Sequence, residues 1–113
     1  MSKYASVFRQ VLNEHPELLT QIRRGVEKES LRVTEDHATL AQTQHPSALG
    51  SALTHPAITT DYSEALLEFI TPAESSIEAT EQSLADLHRF TARQLNKEML
   101  WSASMPCIVS GDA

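Results

Sequence analysis

The 113-residue chain has one cysteine and three glycines, and both scarcities exclude classes of site. A single cysteine, Cys107, forms neither an internal disulfide nor a cysteine-rich zinc site. Because Gly25, Gly50 and Gly111 lie far apart, the sequence contains neither a phosphate-binding Walker loop nor a dinucleotide-binding glycine motif. The serine-nucleophile and zinc-protease motifs are also absent. Any nucleotide would have to be held through a metal and charge, or by residues that this sequence does not contain.

Basic residues are scarce as well. Nine Lys and Arg stand against fifteen Asp and Glu, and the net charge of -6 argues against a general nucleic-acid binder. Charges interrupt every apolar stretch near the N-terminus, and no apolar run is long enough to cross a bilayer. We therefore expect a cytoplasmic protein without a membrane partner. The 41% hydrophobic content predicts one folded domain, or part of one, over residues 1–113.

Hydrophobic spacing predicts a first helix over residues 4–15, which ends before Pro16. A second short helix is predicted over residues 16–24, with Leu18, Leu19 and Ile22 covering the core.

The longest helix is predicted from Ser75 to about Lys97, opened by a capping box between Ser75 and Glu78. Its apolar stripe comprises Ile77, Leu84, Leu87, Thr91 and Leu95.

Several extended segments complete the pattern. A strand is predicted over residues 25–33, a short one over 39–41 followed by a loop or brief helical turn, and another near the C-terminus. The run "DYSEALLEFITP" fits either a helix capped by Asp61 and Glu64 or a buried strand. The fold class is therefore α+β.

The acidic residues are the candidates for chemistry. On a strand, Glu27 and Glu29 share one face, while Lys28 and Arg32 lie on the other. Glu68 interrupts the most apolar run of the chain, where a carboxylate must be exposed, neutral, paired or metal-bound. Together with Asp61 these carboxylates suggest a Mg²⁺ site. The alternative is that they are simply solvated.

Neither histidines nor the cysteine offer a comparable case. Three histidines precede prolines and are typical of turns, and His88 lies beside the stripe of the long helix. Cys107 is expected to be buried and inert.

Several long stretches resemble the N-terminal region of the proteobacterial type of glutamate–cysteine ligase. They are "RRGVEKESLRV", "HPSALGSALTHPAITTDYSEALLEFITP", "LHRFTAR" and "W-x-x-SMPC", in order from about His15 to Cys107. The resemblance implies a part of a glutamine synthetase-like catalytic fold, with helices packed on a few-stranded antiparallel sheet. It also favours a strand for "EALLEFIT".

The resemblance implies an enzyme that uses ATP and Mg²⁺ to join L-cysteine to the gamma-carboxylate of L-glutamate through an acyl phosphate, the first step of glutathione biosynthesis. It implies that Glu27, Glu29, Asp61 and Glu68 are metal ligands and that Tyr62 lies near the cysteine substrate.

Members of this family are several times longer, so we expect a fragment that is inactive alone and that associates through exposed sheet edges. The competing hypothesis is a non-catalytic interaction or regulatory module derived from the ligase.

Overall fold

The chain combines two helices with four short strands, and a computed structural model describes residues 2–50 and 55–109. Part of the "ALGSALTH" motif, residues 51–54, lies outside the described residues. The elements are α1 (Lys3–Glu14), β1 (Glu27–Thr34), β2 (Ile58–Thr59), β3 (Leu66–Ile70), α2 (Ile77–Gln94) and β4 (Glu98–Leu100), with 3₁₀ turns at Pro16–Leu19 and Ser47–Leu49.

The strands form one antiparallel sheet in the order β2–β3–β1–β4. The predicted α+β class is therefore confirmed. The ambiguous run is a strand, β3, as the resemblance indicated. Glu64 does not cap a helix, because its Oε1 accepts hydrogen bonds from the backbone N–H of His45 at 2.8 Å and pairs with the His45 ring at 2.7 Å. The short strand predicted at 39–41 consists of two isolated bridges, at Thr39 and Leu40.

The hydrophobic core lies between α2 and one face of the sheet. Alternation along β3 sends Leu67 and Phe69 to this face, where Ile58 and Leu49 join them. The apolar side of α2 packs there through Leu84 and Leu87, with Leu100 of β4. Burying these side chains is the main favourable contribution to folding, at roughly 1.5–3 kcal/mol for each large side chain.

The long helix differs from its prediction at the N-terminus. Its N-cap is Ser76 rather than Ser75, because the Ser76 hydroxyl accepts a hydrogen bond from the N–H of Ala79 at 3.1 Å. Ile77 was predicted to lie on the buried apolar stripe, but its side chain is 66% exposed. Thr91, predicted on the same stripe, is fully buried.

The prediction of a second helix over residues 16–24 is wrong beyond its first turn. Only Pro16–Leu19 is helical, and the three side chains predicted to cover the core are 46–58% exposed: Leu18, Leu19 and Ile22. The backbone of Arg24, which the prediction placed in the helix, instead pairs in both directions with Glu74 at 2.9 Å. Leu84 and Leu87 of α2 pack against the core instead.

Gly25 lies close to the backbone of Thr71 where the chain enters β1. A side chain there would place its Cβ 3.1 Å from the carbonyl oxygen of Thr71.

Within the described ranges, neither helix combines the length and the apolar character that crossing a bilayer requires.

Candidate functional site

The second face of the sheet carries the predicted acids. In the register of β1 with β3, Glu29 lies directly opposite Glu68, and Glu27 is opposite Ile70. Cross-strand partners in an antiparallel pair have Cβ atoms about 4.5–5.5 Å apart, and diagonal neighbours about 7–8 Å. Glu27 and Glu29 are exposed and Glu68 is partly exposed. These three carboxylates therefore share one open face, which we call the acidic face.

Electrostatics bring the fourth predicted acid into the same group. Partial burial raises the pKa of Glu68 above its usual range, and the negative charges of Glu27, Glu29 and Asp61 raise it further. Like charges directly opposite each other destabilise a sheet. The acidic face consequently carries an electrostatic cost that a bound cation would relieve.

In their partners, the four acids differ from some, but not all, of the other acids that the structure describes. Glu98, Glu64 and Asp86, for example, each pair with an arginine or a histidine. Among residues 2–50 and 55–109, no side-chain hydrogen bond or ion pair reaches the carboxylates of Glu27, Glu29, Asp61 and Glu68, and the same is true of exposed acids of α2 such as Glu81.

The basic residues of β1 lie on the opposite face, which explains this lack of partners. Lys28 points towards α2 and donates to the Ser30 hydroxyl at 2.5 Å, and burial lowers its pKa. Arg32, two pleats further on, is completely buried. Alternation along the strand thus places Glu27 and Glu29 on one face of the sheet and Lys28 and Arg32 on the other.

Arg32 is the feature that sequence reasoning missed. Its guanidinium lies 2.6 Å from Glu98 Oε2 and donates to the backbone oxygens of Thr43 at 2.6 Å and Glu64 at 3.0 Å. Its backbone N–H donates to Ala65 at 2.7 Å. One side chain therefore ties β1 to β4 and to the segment that enters β3, and so supports the register that places Glu29 opposite Glu68.

A cleft of about 270 Å³ adjoins Glu29. Its wall is the segment quoted as "W-x-x-SMPC", in which the Trp101 indole N–H donates to the Met105 carbonyl at 2.6 Å. Leu31 and Leu66 also line the cleft. The motif that contributed to the resemblance is thus beside the acidic face, although nothing in its spacing alone indicated a cleft.

Two further predicted features are on the surface. Tyr62 is fully exposed, next to Asp61 in the segment before β3. Its role near a substrate stays a prediction. Cys107 is buried and unpaired, as expected.

The chemistry of the acidic face fits a hard divalent cation, because carboxylate oxygens are the ligands that Mg²⁺ prefers. The placement fits as well, because Glu29 and Glu68 form a cross-strand pair and Glu27 is the diagonal neighbour of Glu68. In the described part of the chain, however, no three His, Cys, Asp or Glu side chains converge closely enough to hold one ion. Holding a cation would require these carboxylates to rotate towards one another.

Fold and site together define a class: an α+β domain whose antiparallel sheet is covered by a helix on one face and carries unpaired carboxylates on the other. A model of the glutamate–cysteine ligase family matches residues 9–113. Since this match covers nearly the whole chain, the chain belongs to the glutamate–cysteine ligase family.

Two curated relatives are both glutamate–cysteine ligases. The chain is 55% identical over 101 residues to the protein of Photorhabdus laumondii and 59% identical over 95 residues to that of Alcanivorax borkumensis. These matches cover 89% and 84% of this chain but 19% and 18% of the relatives. The chain therefore spans about one fifth of the length of the curated relatives it matches.

Two solved structures share the fold. A glutamate–cysteine ligase of Francisella tularensis, in complex with AMP, is similar with a TM-score of 0.76 and 39% identity over 80% of this chain and 18% of that chain. A bifunctional glutathione synthetase of Pasteurella multocida is similar with a TM-score of 0.77 and 37% identity over 89% and 14%. The antiparallel sheet with its packed helix therefore has the architecture of solved ligases.

Proposed function

We propose that this chain supplies Mg²⁺-binding carboxylates to the ATP-dependent ligation of L-cysteine to the gamma-carboxylate of L-glutamate. The observation that supports this most is the direct opposition of Glu29 and Glu68 on an open face without a basic partner. Glu27 and Asp61 extend the same group, since both raise the pKa of Glu68.

The ligand set would be Glu27, Glu29, Glu68 and Asp61. A bound Mg²⁺ neutralises the concentrated negative charge of a transferring phosphoryl group. The carboxylates would hold the Mg²⁺ at a fixed position on the sheet. Because the pKa of Glu68 is raised, its carboxyl must lose a proton before it coordinates a cation, so metal affinity falls as the pH decreases.

Family membership supports a proposal for the substrates. The activity that gives the family its name joins glutamate to cysteine, and the Francisella tularensis relative was solved in complex with AMP. We propose ATP, L-glutamate and L-cysteine as co-substrates, with an acyl phosphate as the intermediate. The exposed ring of Tyr62 would contact the cysteine substrate.

Because this chain spans about one fifth of its curated relatives, we propose that it does not make the dipeptide alone. An assay of ADP release with ATP, glutamate, cysteine and Mg²⁺ tests this. We expect no release above a blank without cysteine, and sustained turnover by the isolated chain would contradict the proposal.

A second candidate function is a non-catalytic interaction or regulatory module. The observation that favours it is the lack of three converging ligands in the described part of the chain. Under this alternative the acids are solvated, and replacing any of them leaves cation binding unchanged.

Calorimetric titration with Mg²⁺ separates the two functions. We expect Glu29→Gln and Glu68→Gln to weaken Mg²⁺ binding more than about tenfold, because each removes a charged ligand. Glu81→Gln, on the exposed side of α2, is the matched control and should bind like the unmodified chain. Equal binding by all three variants would support the non-catalytic module.

A further inference from the structure

One histidine of the described chain is held in a fixed orientation by a carboxylate. The ring Nδ1 of His45 lies 2.7 Å from Oε1 of Glu64, and the same oxygen accepts a hydrogen bond from the His45 backbone N–H at 2.8 Å. This contact joins the segment before the Ser47–Leu49 turn to the segment that enters β3. We call the two residues the His45–Glu64 pair.

The contact decides which ring nitrogen of His45 carries the proton. An ionised carboxylate only accepts hydrogen bonds, so Nδ1 must be the donor. Hydrogen bonds from the backbone and the ring of His45, and to a smaller extent the charge of Arg32, hold the pKa of Glu64 below its ordinary 4.5, so this carboxylate is ionised at neutral pH. In the neutral imidazole Nε2 therefore presents a lone pair, and no hydrogen bond between described residues uses it.

Two other histidines lie near a carboxylate without a comparable arrangement. His15 pairs with Glu17 at 3.0 Å, and both side chains are largely exposed. His37 is 3.6 Å from Asp36, and both of these are more exposed still. The His45 side chain is only 20% exposed, and its own backbone N–H binds the same carboxylate. A ring held in this way keeps Nε2 pointing in one direction, as oriented imidazoles at ligand sites do.

The His45–Glu64 pair lines an open cleft of about 440 Å³, a volume suited to a small molecule. Gln44, Ser47 and Gly50 also line it. None of the described lining residues is a lysine or an arginine, and the pair itself contributes a carboxylate. Anionic ligands such as phosphate are therefore disfavoured. A group that both donates an N–H and carries positive charge is favoured.

Arg32 leaves this balance unchanged, because its guanidinium is fully buried and paired with Glu98. We propose that the cleft binds the primary ammonium group of a small molecule, which donates one N–H to Nε2 of His45 and is attracted by the charge of Glu64. Amino acids and simple amines carry such a group. The site uses none of the residues of the acidic face, and the proposal does not rest on the proposed function.

NMR of the chain with isotope-labelled histidine, without Mg²⁺ or ATP, tests the site at about pH 8, where an ordinary imidazole is neutral. Correlations within the ring should show the Nδ1–H form of His45, and the opposite tautomer would overturn the proposal. Methylammonium should shift the Nε2 signal of His45 in a saturable manner. Tetramethylammonium has the same charge but no N–H, so it should leave that signal unchanged at the same concentrations. Equal shifts by both cations, or none by methylammonium, would also overturn the proposal.

Replacing the carboxylate distinguishes a binding site from a purely structural contact. Glu64→Gln should weaken methylammonium binding at least about tenfold, because it removes the negative charge and the acceptor that orients the ring. Glu17→Gln is the matched control, since it removes the carboxylate of the exposed His15–Glu17 pair, and binding at His45 should be unchanged. Circular dichroism checks that both variants fold, and the measurements on the unmodified chain need no variant. Binding that folded Glu64→Gln retains in full would contradict the role of the pair.

Discussion

Replacing Arg32 by methionine should destabilise the isolated chain by about 3–5 kcal/mol, because it leaves a carboxylate buried without its cation. The Arg32 side chain has no exposed surface, and the Glu98 side chain 2.6 Å away is only 9% exposed. Methionine fills much of the same volume but donates no hydrogen bond. The carbonyls of Thr43 and Glu64 therefore lose the guanidinium as a donor, and the Glu98 carboxylate keeps only the hydrogen bond from the Thr43 hydroxyl.

Unfolding in urea and by heat measures this loss, with the fluorescence of Trp101 as the signal. Trp101 is the only tryptophan, and its backbone N–H donates to Leu31 at 2.8 Å, beside Arg32. A loss of 3 kcal/mol should lower Tm by at least roughly 12 °C. That loss is a large share of the 5–15 kcal/mol that stabilises a typical domain, so the variant should be partly unfolded under mild conditions.

The control is Arg89→Met, which removes an arginine whose ion pair with Asp86 is 59% and 62% exposed. Exposed pairs contribute little, so we expect less than about 1 kcal/mol. The double variant Arg32→Met with Glu98→Leu should recover part of the loss, because it removes the unpaired charge. If Arg32→Met costs no more than Arg89→Met, the reasoning that a buried guanidinium holds these strands together is wrong.

Two pH effects follow from the ionisable groups on either face of the sheet. Burial and the acids around Glu68 raise its pKa above the ordinary 4.5, so the folded chain binds that proton more tightly than the unfolded chain and loses stability as the pH rises through this range. Glu68→Gln should flatten the Tm profile above about pH 4, and an unchanged profile would contradict this. Burial against the sheet, and then the charge of Lys28, lowers the pKa of His88 below 6.5, so stability should fall as the pH drops below that value. An NMR titration should give a midpoint below 6.5 for His88, and a midpoint above it would refute the assignment.

The elements with strong local signals were predictable from the sequence. Hydrophobic periodicity identified α1 and α2, and the alternation of "GVEKESLRV" identified β1 and the shared face of Glu27 and Glu29. Local spacing could not decide β3, because an apolar run of that length fits a helix equally well. The pairing of β3 with β1 and β2 decides it, and such pairing depends on residues far apart in the chain.

Other features depended on long-range contacts that no local pattern encodes. The predicted second helix stops at Leu19, and Arg24 pairs instead with Glu74, fifty residues away. The register that places Glu29 opposite Glu68 is a property of two strands, although the sequence did indicate the acids themselves. The role of Arg32 was missed because its partners come from three separate segments.

The shift of the helix N-cap from Ser75 to Ser76 has a different origin. Adjacent serines offer the same side chain, and the backbone alone selects between them: Ser76 is extended and its oxygen reaches the N–H of Ala79.

The most direct test of the account is where a divalent cation binds on this chain. Mn²⁺, which accepts the same oxygen ligands as Mg²⁺, broadens the NMR signals of nearby nuclei. The account predicts that low Mn²⁺ broadens the amide signals of Glu27, Glu29 and Glu68 first, and that Glu68→Gln reduces this effect while Glu81→Gln does not. Broadening spread evenly over all exposed acids, or centred away from β1 and β3, would contradict it.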